Sequence, residues 1–205
     1  MHLFEITGNE ADPAYQELQI SNSDRHYDFL RSIVVASLST GRPFLSQAVI
    51  KALNFHAIAC LHINAGEYRP CEVEVGIHKP PAVYRVQSLM DDMVNTVNRA
   101  WVDADPVFLA SYVLWRINHI HPFINGNGRT ARASCYFVLC LKSKALLPGA
   151  PILPELLRRD RADYVKALQE VDASVAAGKL DITPLHALVT KLLEEQLATA
   201  GFPAT

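Results

Sequence analysis

Residues 121–132 (HPFINGNGRTAR) combine one histidine, two glycines and two arginines in an order suited to phosphate chemistry. Gly126 and Gly128 flank Asn127 immediately before a predicted helix. Glycine readily takes left-handed backbone angles, so successive N–H groups in such a loop can point inward. A nest of this kind at a helix N-terminus binds anions. The loop at Gly126, Asn127 and Gly128 therefore predicts a phosphate-binding site.

The helix after this loop begins with two basic residues, Arg129 and Arg132, which share one face because they are three positions apart. Basic residues in a first turn oppose the helix dipole and cost roughly a few tenths of a kcal/mol each. A polyphosphate above this helix end would reverse that cost, because guanidinium groups match phosphate oxygens. The alternative is a surface loop with two solvated arginines. The coincidence of loop, helix start and arginine pair favours the phosphate site.

His121 stands on the other side of the loop, at the end of the preceding predicted helix. An imidazole titrates near neutral pH, so beside a phosphate group it can act as a general base. Phe123 is predicted to bury the underside of the loop. The loop is not a Walker P-loop, because the chain contains no Gly-Lys-Ser/Thr triplet.

The hydrophobic pattern of the chain is mostly helical. Asp105 followed by Pro106 predicts a helix start, and that helix ends at His121, which precedes a proline. Apolar and acidic residues alternate over residues 71–75, which predicts a half-buried strand, and residues 82–86 are predicted as its partner. The predicted class is all-α with one small β-hairpin. The other helices are predicted over residues 24–38, 46–63, 88–100, 129–141, 153–158, 161–171 and 184–198, with Thr183 as the cap of the last one.

Composition and charge narrow the functional classes. The 205 residues suffice for one sizeable core. The formal net charge of −2, with no long run of one sign, argues against a nucleic-acid partner. No apolar stretch reaches the roughly 20 residues that span a bilayer, and residues 1–10 lack the pattern of a secretory signal. We therefore expect a cytoplasmic protein without nucleic-acid or membrane partners.

The four cysteines, Cys60, Cys71, Cys135 and Cys140, form no CxxC pair. A disulfide framework is not expected in a chain with a core of this size, so all four are predicted to be small buried hydrophobic residues. The pairs Cys60/His62 and residues 119/121 lack the spacing of a zinc site, and no zinc site is predicted.

The stretch at residues 121–132 resembles the motif of the Fic family, which reads His-Pro-Phe, any residue, acid, Gly-Asn-Gly-Arg, two residues, Arg. Every specified position matches except the acid, where this chain has Asn125. The resemblance extends from about residue 48 to residue 193. It includes residues 66–69 (GEYR), followed by a strand and by Pro80-Pro81, which are similar to the family's flap. It also includes residues 181–185 (DITPL), similar to the entry of the family's last helix.

The resemblance implies a Fic-type helical bundle with a small β-hairpin flap. Residues 1–45 would be an N-terminal helical extension, and residues 46–205 the Fic core with its C-terminal helix. The implied activity is protein adenylyltransfer, in which AMP moves from ATP to a Tyr, Ser or Thr hydroxyl of a target protein. The target would dock along the flap at residues 71–86, aligned by Ile77 and His78.

The resemblance also implies roles for individual residues. His121 would deprotonate the target hydroxyl. Arg129 and Arg132 would hold the outer phosphates, and Tyr164 would lie near the adenine. The small Gly128 favours AMP transfer, because similar proteins that transfer phosphate carry a lysine there. The α- and β-phosphates would be held by Gly126, Asn127 and Gly128.

Asn125 replaces the acid that binds bridging magnesium in the family, and a neutral amide oxygen is a poorer ligand for a hard cation. Magnesium is still expected as a cofactor, held mainly by the nucleotide, and restoring the acid is expected to lower the magnesium requirement. The replacement leaves two alternatives open: a silent nucleotide-binding or interaction module, and a Fic site that uses another donor or removes AMP. Inhibition is expected from Glu194, whose spacing from Thr190 fits the family's inhibitory helix, from a separate small partner, or not at all.

Overall fold

The computed structural model describes residues 2–41 and 43–201. Over these residues the chain forms nine α-helices and one 3-10 helix, Val83–Arg85, and contains no β-strand. The predicted all-α class is confirmed. The α-helices are α1 (Leu3–Thr7), α2 (Pro13–Ser39), α3 (Gln47–Ile58), α4 (Val86–Arg99), α5 (Pro106–Ile120), α6 (Asn127–Lys142), α7 (Leu153–Arg159), α8 (Arg161–Ala176) and α9 (Thr183–Ala198).

Several helices begin where the sequence provides a cap. The Asp105 carboxylate accepts a hydrogen bond of 2.8 Å from the N–H of Phe108 at the start of α5, as predicted. The same Asp-Pro signal at Asp12 starts α2, whose observed start at Pro13 is well before residue 24. Thr183 was predicted to cap α9, which is wrong: Ile182 is the capping residue, and Thr183 lies inside the helix.

The predicted hairpin at residues 71–86 is absent. A single antiparallel bridge joins Val75 and His78, and residues 83–85 form a 3-10 helix instead of a second strand. The reason is that side chains satisfy the backbone groups that a strand ladder would have used. Arg69 donates to the carbonyl oxygens of Cys71, at 2.8 Å, and Pro81. This segment, residues 71–86, is called the flap below.

The core lies around α5 and α6, which pack along each other. Most of α6 is buried, including Phe137. Ile120 at the end of α5 and Phe123 in the loop that joins the two helices are buried as well. Fully burying such a side chain stabilises a protein by roughly 1.5–3 kcal/mol. Leu30 and Val34 of α2 belong to the same core, so the N-terminal helix supports the loop region too.

The prediction that the cysteines are buried is confirmed for two of the four. Cys135 and Cys140 are buried on α6, whereas Cys60 and Cys71 are exposed, so their prediction as buried residues is wrong. Cys60 lies just past the end of α3 and Cys71 in the flap, where neither is covered by the core. None of the helices in the described ranges is both long and apolar enough to cross a bilayer.

Candidate active site

His121 ends α5 with a left-handed backbone, φ 51°. Its N–H donates to the Ile117 carbonyl at 2.9 Å, and its own carbonyl accepts from Arg69 Nε at 2.9 Å, so both backbone groups are fixed. Burial lowers the pKa of His121 to about 4; a backbone hydrogen bond at Asn118 opposes this shift, and His78 and Arg69 add to it. The imidazole is therefore neutral at physiological pH and can accept a proton.

Gly126 begins α6 in a left-handed conformation, φ 76°. A Cβ there would lie 2.8 Å from Ile58 Cγ2 and 3.0 Å from Asn54 Nδ2, so only glycine fits. The first helical hydrogen bond of α6 runs from the Thr130 N–H to the Gly126 carbonyl, at 2.9 Å. The N–H groups of residues 127–129 precede that bond and have no helical partner, as at any helix start. The phosphate-binding nest stays a prediction, and these N–H groups are the donors that it would use.

Two buried asparagines hold this loop. Asn127 accepts from the Phe123 N–H at 2.9 Å and donates to the Phe123 carbonyl at 2.8 Å. Asn54 of α3 donates to the Asn125 carbonyl at 2.9 Å and to Thr130 Oγ1 at 3.2 Å. Since the Asn127 side chain is buried and bonded to Phe123 through both its oxygen and its nitrogen, we assign its predicted phosphate contact to its backbone N–H.

The two motif arginines differ in their surroundings. Arg129 donates to the Ala57 carbonyl at 2.8 Å and to Asn125 Oδ1 at 3.3 Å. Arg132 has a buried Nε without a hydrogen-bond partner in the described part of the chain, and its Nη1 lies 3.2 Å from where a Cβ of Gly128 would be. A buried cationic donor without a partner is costly unless a ligand completes it. The two arginines therefore do not form the equivalent pair that their spacing predicts.

The region around Arg132 is rich in positive charge. Burial lowers the pKa of the Arg132 guanidinium, and the charges of Arg158 and Arg161 lower it further. Burial also lowers the pKa of Arg129, and the positive charges of Arg132 and Arg158 lower it further. Arginine remains protonated despite such shifts. An anion of several charges would relieve this repulsion.

Tyr164, predicted near the adenine, lies on α8 with only 4% of its surface exposed. Its hydroxyl accepts a hydrogen bond of 2.8 Å from Asn118 Nδ2 on α5. Burial raises the pKa of Tyr164, and the neighbouring Arg132 opposes that shift. The ring therefore packs α8 against the site and offers no open face to a base in this conformation.

Asn125 does not offer its oxygen to a metal. The side-chain nitrogen donates to Glu10 Oε1 at 2.8 Å and lies 2.9 Å from His62 Nε2. Because a carboxylate only accepts, this contact turns Oδ1 the other way, where it accepts from the Gly126 N–H and from Arg129. The residue present at this position does not fit a magnesium ligand.

The buried side chain of Arg69 ties the flap to the end of α5, because it donates to carbonyl oxygens of the flap and to that of His121. Ile77, predicted to align a target, is 85% exposed. His78, predicted for the same role, instead turns inward, and its Nε2 lies 2.9 Å from the carbonyl oxygen of His119 on α5. Arg69 is predicted only as part of residues 66–69, and its charged neighbours Glu67 and Glu72 give no local signal that its side chain is buried.

The family-model comparison matches residues 44–139 to the Fic/DOC family. This match contains the loop, His121 and both arginines. Residues 44–139 of this chain form a Fic/DOC family domain. The protein adenylyltransferase Fic of Drosophila persimilis is 34% identical over 113 residues, which are 54% of this chain and 21% of the relative. That of Nematostella vectensis is 31% identical over 141 residues, 66% of this chain and 29% of the relative.

Solved structures support the Fic fold of this chain. A Fic domain containing signaling protein from Bacteroides thetaiotaomicron superposes with a TM-score of 0.70 at 24% identity, covering 86% of this chain and 69% of that protein. Fic-1 from C. elegans gives a TM-score of 0.67 at 23% identity, covering 86% and 48%. Identities at this level establish the fold alone. The chain spans less than a third of the length of the two curated relatives just described.

Of the two acids Glu10 and Glu194, only Glu10 hydrogen-bonds to the phosphate loop among the described residues. Glu194 forms no ion pair with Arg129 or Arg132 in the described part of the chain, and its inhibitory role stays a prediction. The N-terminal Glu10, which no inhibitory motif indicates, reaches the loop instead and lies 3.8 Å from His62 Nε2. Tyr15 of α2 also reaches His62, with its hydroxyl 2.9 Å from the same Nε2.

Proposed function

We propose that this Fic domain transfers AMP from ATP to a hydroxyl side chain of another protein. The observation that carries the proposal is the buried, unpartnered Nε of Arg132 beside Gly128 at the start of α6. His121 borders the same loop from the other side. The relatives named protein adenylyltransferase support AMP as the transferred group.

The chemistry assigns one task to each group. Neutral His121 accepts the proton of the target hydroxyl as its oxygen bonds to the α-phosphorus of ATP. The bond between the α-phosphorus and the bridging oxygen breaks, and pyrophosphate leaves with the electron pair. Arg132 and the N–H groups of the nest stabilise the negative charge that moves onto the leaving group. The scheme assigns no protein ligand to magnesium, because Asn125 does not fit that role.

Gly128 supports the transfer of AMP rather than of phosphate. A side chain there would press on Arg132 Nη1, since a Cβ would lie only 3.2 Å from it. Glycine therefore keeps the guanidinium close over the helix start. ATP can then place its β- and γ-phosphates at Arg132 and its α-phosphate toward His121. A cytoplasmic target that docks along the flap, with Ile77 and Tyr84 as exposed apolar contacts, completes the proposal.

Position-specific labelling tests this proposal. The protein is incubated with lysate and with ATP labelled at the α- or the γ-phosphorus, and mass spectrometry identifies modified residues. AMP transfer labels targets from α-labelled ATP only, and the label disappears with His121→Ala. Labelling from the γ-phosphorus would mean phosphate transfer and would overturn the proposal.

A silent nucleotide-binding module is the second candidate, favoured by the contact of Asn125 with Glu10. It predicts nucleotide binding that depends on Arg132 but no label from either form of ATP. Calorimetry with ATP beside the labelling assay separates the two functions.

A further inference from the structure

Three side chains from three separate elements meet beside the site. They are His78 of the flap, His119 of α5 and Asp172 of α8, and their potential ligand atoms all lie within 4.8 Å of one another. His119 Nδ1 is 2.7 Å from Asp172 Oδ1, and His78 Nδ1 is 3.4 Å from Asp172 Oδ2. None of the three belongs to the phosphate loop or takes part in the proposed transfer.

Two of these groups, His78 and Asp172, are oriented by a further hydrogen bond. His78 uses Nε2 toward the His119 carbonyl oxygen, at 2.9 Å, which places the ring proton on Nε2 and leaves the lone pair on Nδ1. Trp115 Nε1 donates to Asp172 Oδ1 at 2.8 Å and fixes the carboxylate. Metal-binding histidines nearly always direct their second nitrogen to a carbonyl or carboxylate in this way.

The ionisation state of Asp172 suits a ligand. Burial by itself would raise the pKa of Asp172, but hydrogen bonds from His119 and Trp115 lower it overall. The carboxylate is therefore charged at neutral pH. The side chains of His78, His119 and Asp172 are 22%, 22% and 29% exposed, so solvent reaches the cluster.

We propose that His78, His119 and Asp172 bind a divalent transition metal of the zinc type. Two histidine nitrogens, one carboxylate oxygen and an open position for water match zinc sites with three protein ligands. Tetrahedral ligands at zinc distances stand about 3.4 Å apart, close to the spacing of His78 and Asp172. On binding, exchange with solvent moves the ring proton of His119 from Nδ1 to Nε2, and the Nδ1 lone pair bonds to the metal while the imidazole stays neutral. Magnesium and calcium prefer all-oxygen sites and are not expected here.

The metal would join the flap to the helical core. His78 is the only ligand from the flap, while His119 and Asp172 lie on packed helices. A bound ion therefore restrains the flap next to His121, two residues beyond His119. This inference does not rest on AMP transfer, because metal binding is measurable without nucleotide.

The test measures metal binding on protein freed of metal with a chelator. Calorimetry with Zn²⁺ and visible absorption with Co²⁺ are expected to show one site, with Co²⁺ bands typical of nitrogen and oxygen ligands. Because exposed thiols bind the same ions, the measurements use the Cys60→Ser, Cys71→Ser background. His78→Gln and Asp172→Asn are each expected to weaken Zn²⁺ binding by about tenfold or more.

The matched control is His186→Gln. In the described chain, His186 also pairs with an aspartate, with Nε2 3.4 Å from Asp105 Oδ1, but this pair has no third potential ligand beside it. It should leave Zn²⁺ binding unchanged. Circular dichroism checks that each variant is folded, and His78→Gln lies in the flap, where folding is least at risk. The proposal is overturned if the parent binds no Zn²⁺, or if His186→Gln loses as much affinity as His78→Gln.

Discussion

The carboxylate of Glu10 accepts a hydrogen bond of 2.8 Å from the side chain of Asn125, which lies 115 positions later in the chain. The N-terminal segment thereby contacts the phosphate loop at the one position where the Fic motif is altered. Asn125 also lies 2.9 Å from His62, whose pKa is lowered mainly by burial. The asparagine is thus a hydrogen-bond donor to two acceptors, a role that an aspartate cannot fill.

Restoring the family's acid should consequently fail on its own. In Asn125→Asp two carboxylates would face each other, so we expect a loss of about 1 kcal/mol in the free energy of unfolding and no improvement in magnesium use. Asn125→Asp combined with Glu10→Gln should recover stability and lower the magnesium needed for half-maximal rate. Urea unfolding and magnesium titrations over the double-mutant cycle measure both effects. Additive behaviour would show that the two residues are not coupled.

His121→Ala should lower the transfer rate by on the order of 10² to 10⁴, the usual contribution of a general base. ATP affinity should stay within a few-fold, because the nest lies on α6 and not on α5. Labelling kinetics and calorimetry measure the two quantities, with His186→Ala as control. A mutant that labels at the native rate would exclude His121 as the base.

Replacing the two arginines by methionine should have opposite effects on the free protein. Arg132→Met removes a buried, unpartnered donor and should leave the free energy of unfolding equal or higher, while ATP and ADP binding weaken more than AMP binding. Arg129→Met leaves the Ala57 carbonyl unpaired and should cost about 1–3 kcal/mol. Thermal unfolding with and without nucleotide measures both; equal destabilisation by the two changes would contradict the difference in partners.

Arg69→Met should loosen the flap. The variant loses the donors to the carbonyls of His121, Cys71 and Pro81. Hydrogen exchange measured by mass spectrometry should rise by roughly tenfold or more in residues 71–86. Glu67→Gln, which removes only an exposed ion pair with Lys51, is the control and should leave this exchange unchanged.

His26 should make the protein sensitive to acid. Its ring is buried on α2, its Nε2 has no partner in the described chain, and burial lowers its pKa to about 3. The unfolded chain binds this proton near pH 6.5 and the folded chain only near pH 3. Stability should therefore fall as pH drops through that window, by up to about 1.4 kcal/mol per pH unit.

Two variants isolate this contribution. His26→Gln and His26→Phe both lack the titrating ring. In each variant the slope of the unfolding free energy against pH should therefore be smaller, by an amount that corresponds to up to one bound proton, whatever the variant's absolute stability. Urea titrations between pH 4 and pH 7 measure the slope. A slope equal to that of the parent in both variants would show that His26 does not carry the effect.

The sequence by itself determined the features that depend on neighbouring residues. Asp105 with Pro106 starts α5 because a carboxylate and a fixed φ act within one turn. Gly126 begins α6 because the loop requires a left-handed residue. The same Asp-Pro signal at Asp12 starts α2, although the predicted helix begins only at residue 24. These are local choices of backbone angle, so a local pattern suffices to predict them.

The tertiary structure alone decided which distant polar groups meet. Arg69 replaced the predicted strand pairing of the flap by binding its carbonyls directly, although the alternation in residues 71–75 favoured a strand. Glu10 reached Asn125, and the three residues of the proposed metal site came together from three elements. Such contacts depend on how the helices pack, because hydrogen bonds and close charge pairs act over only a few ångströms. The periodicity of the sequence does not indicate which distant residues packing will bring within that distance.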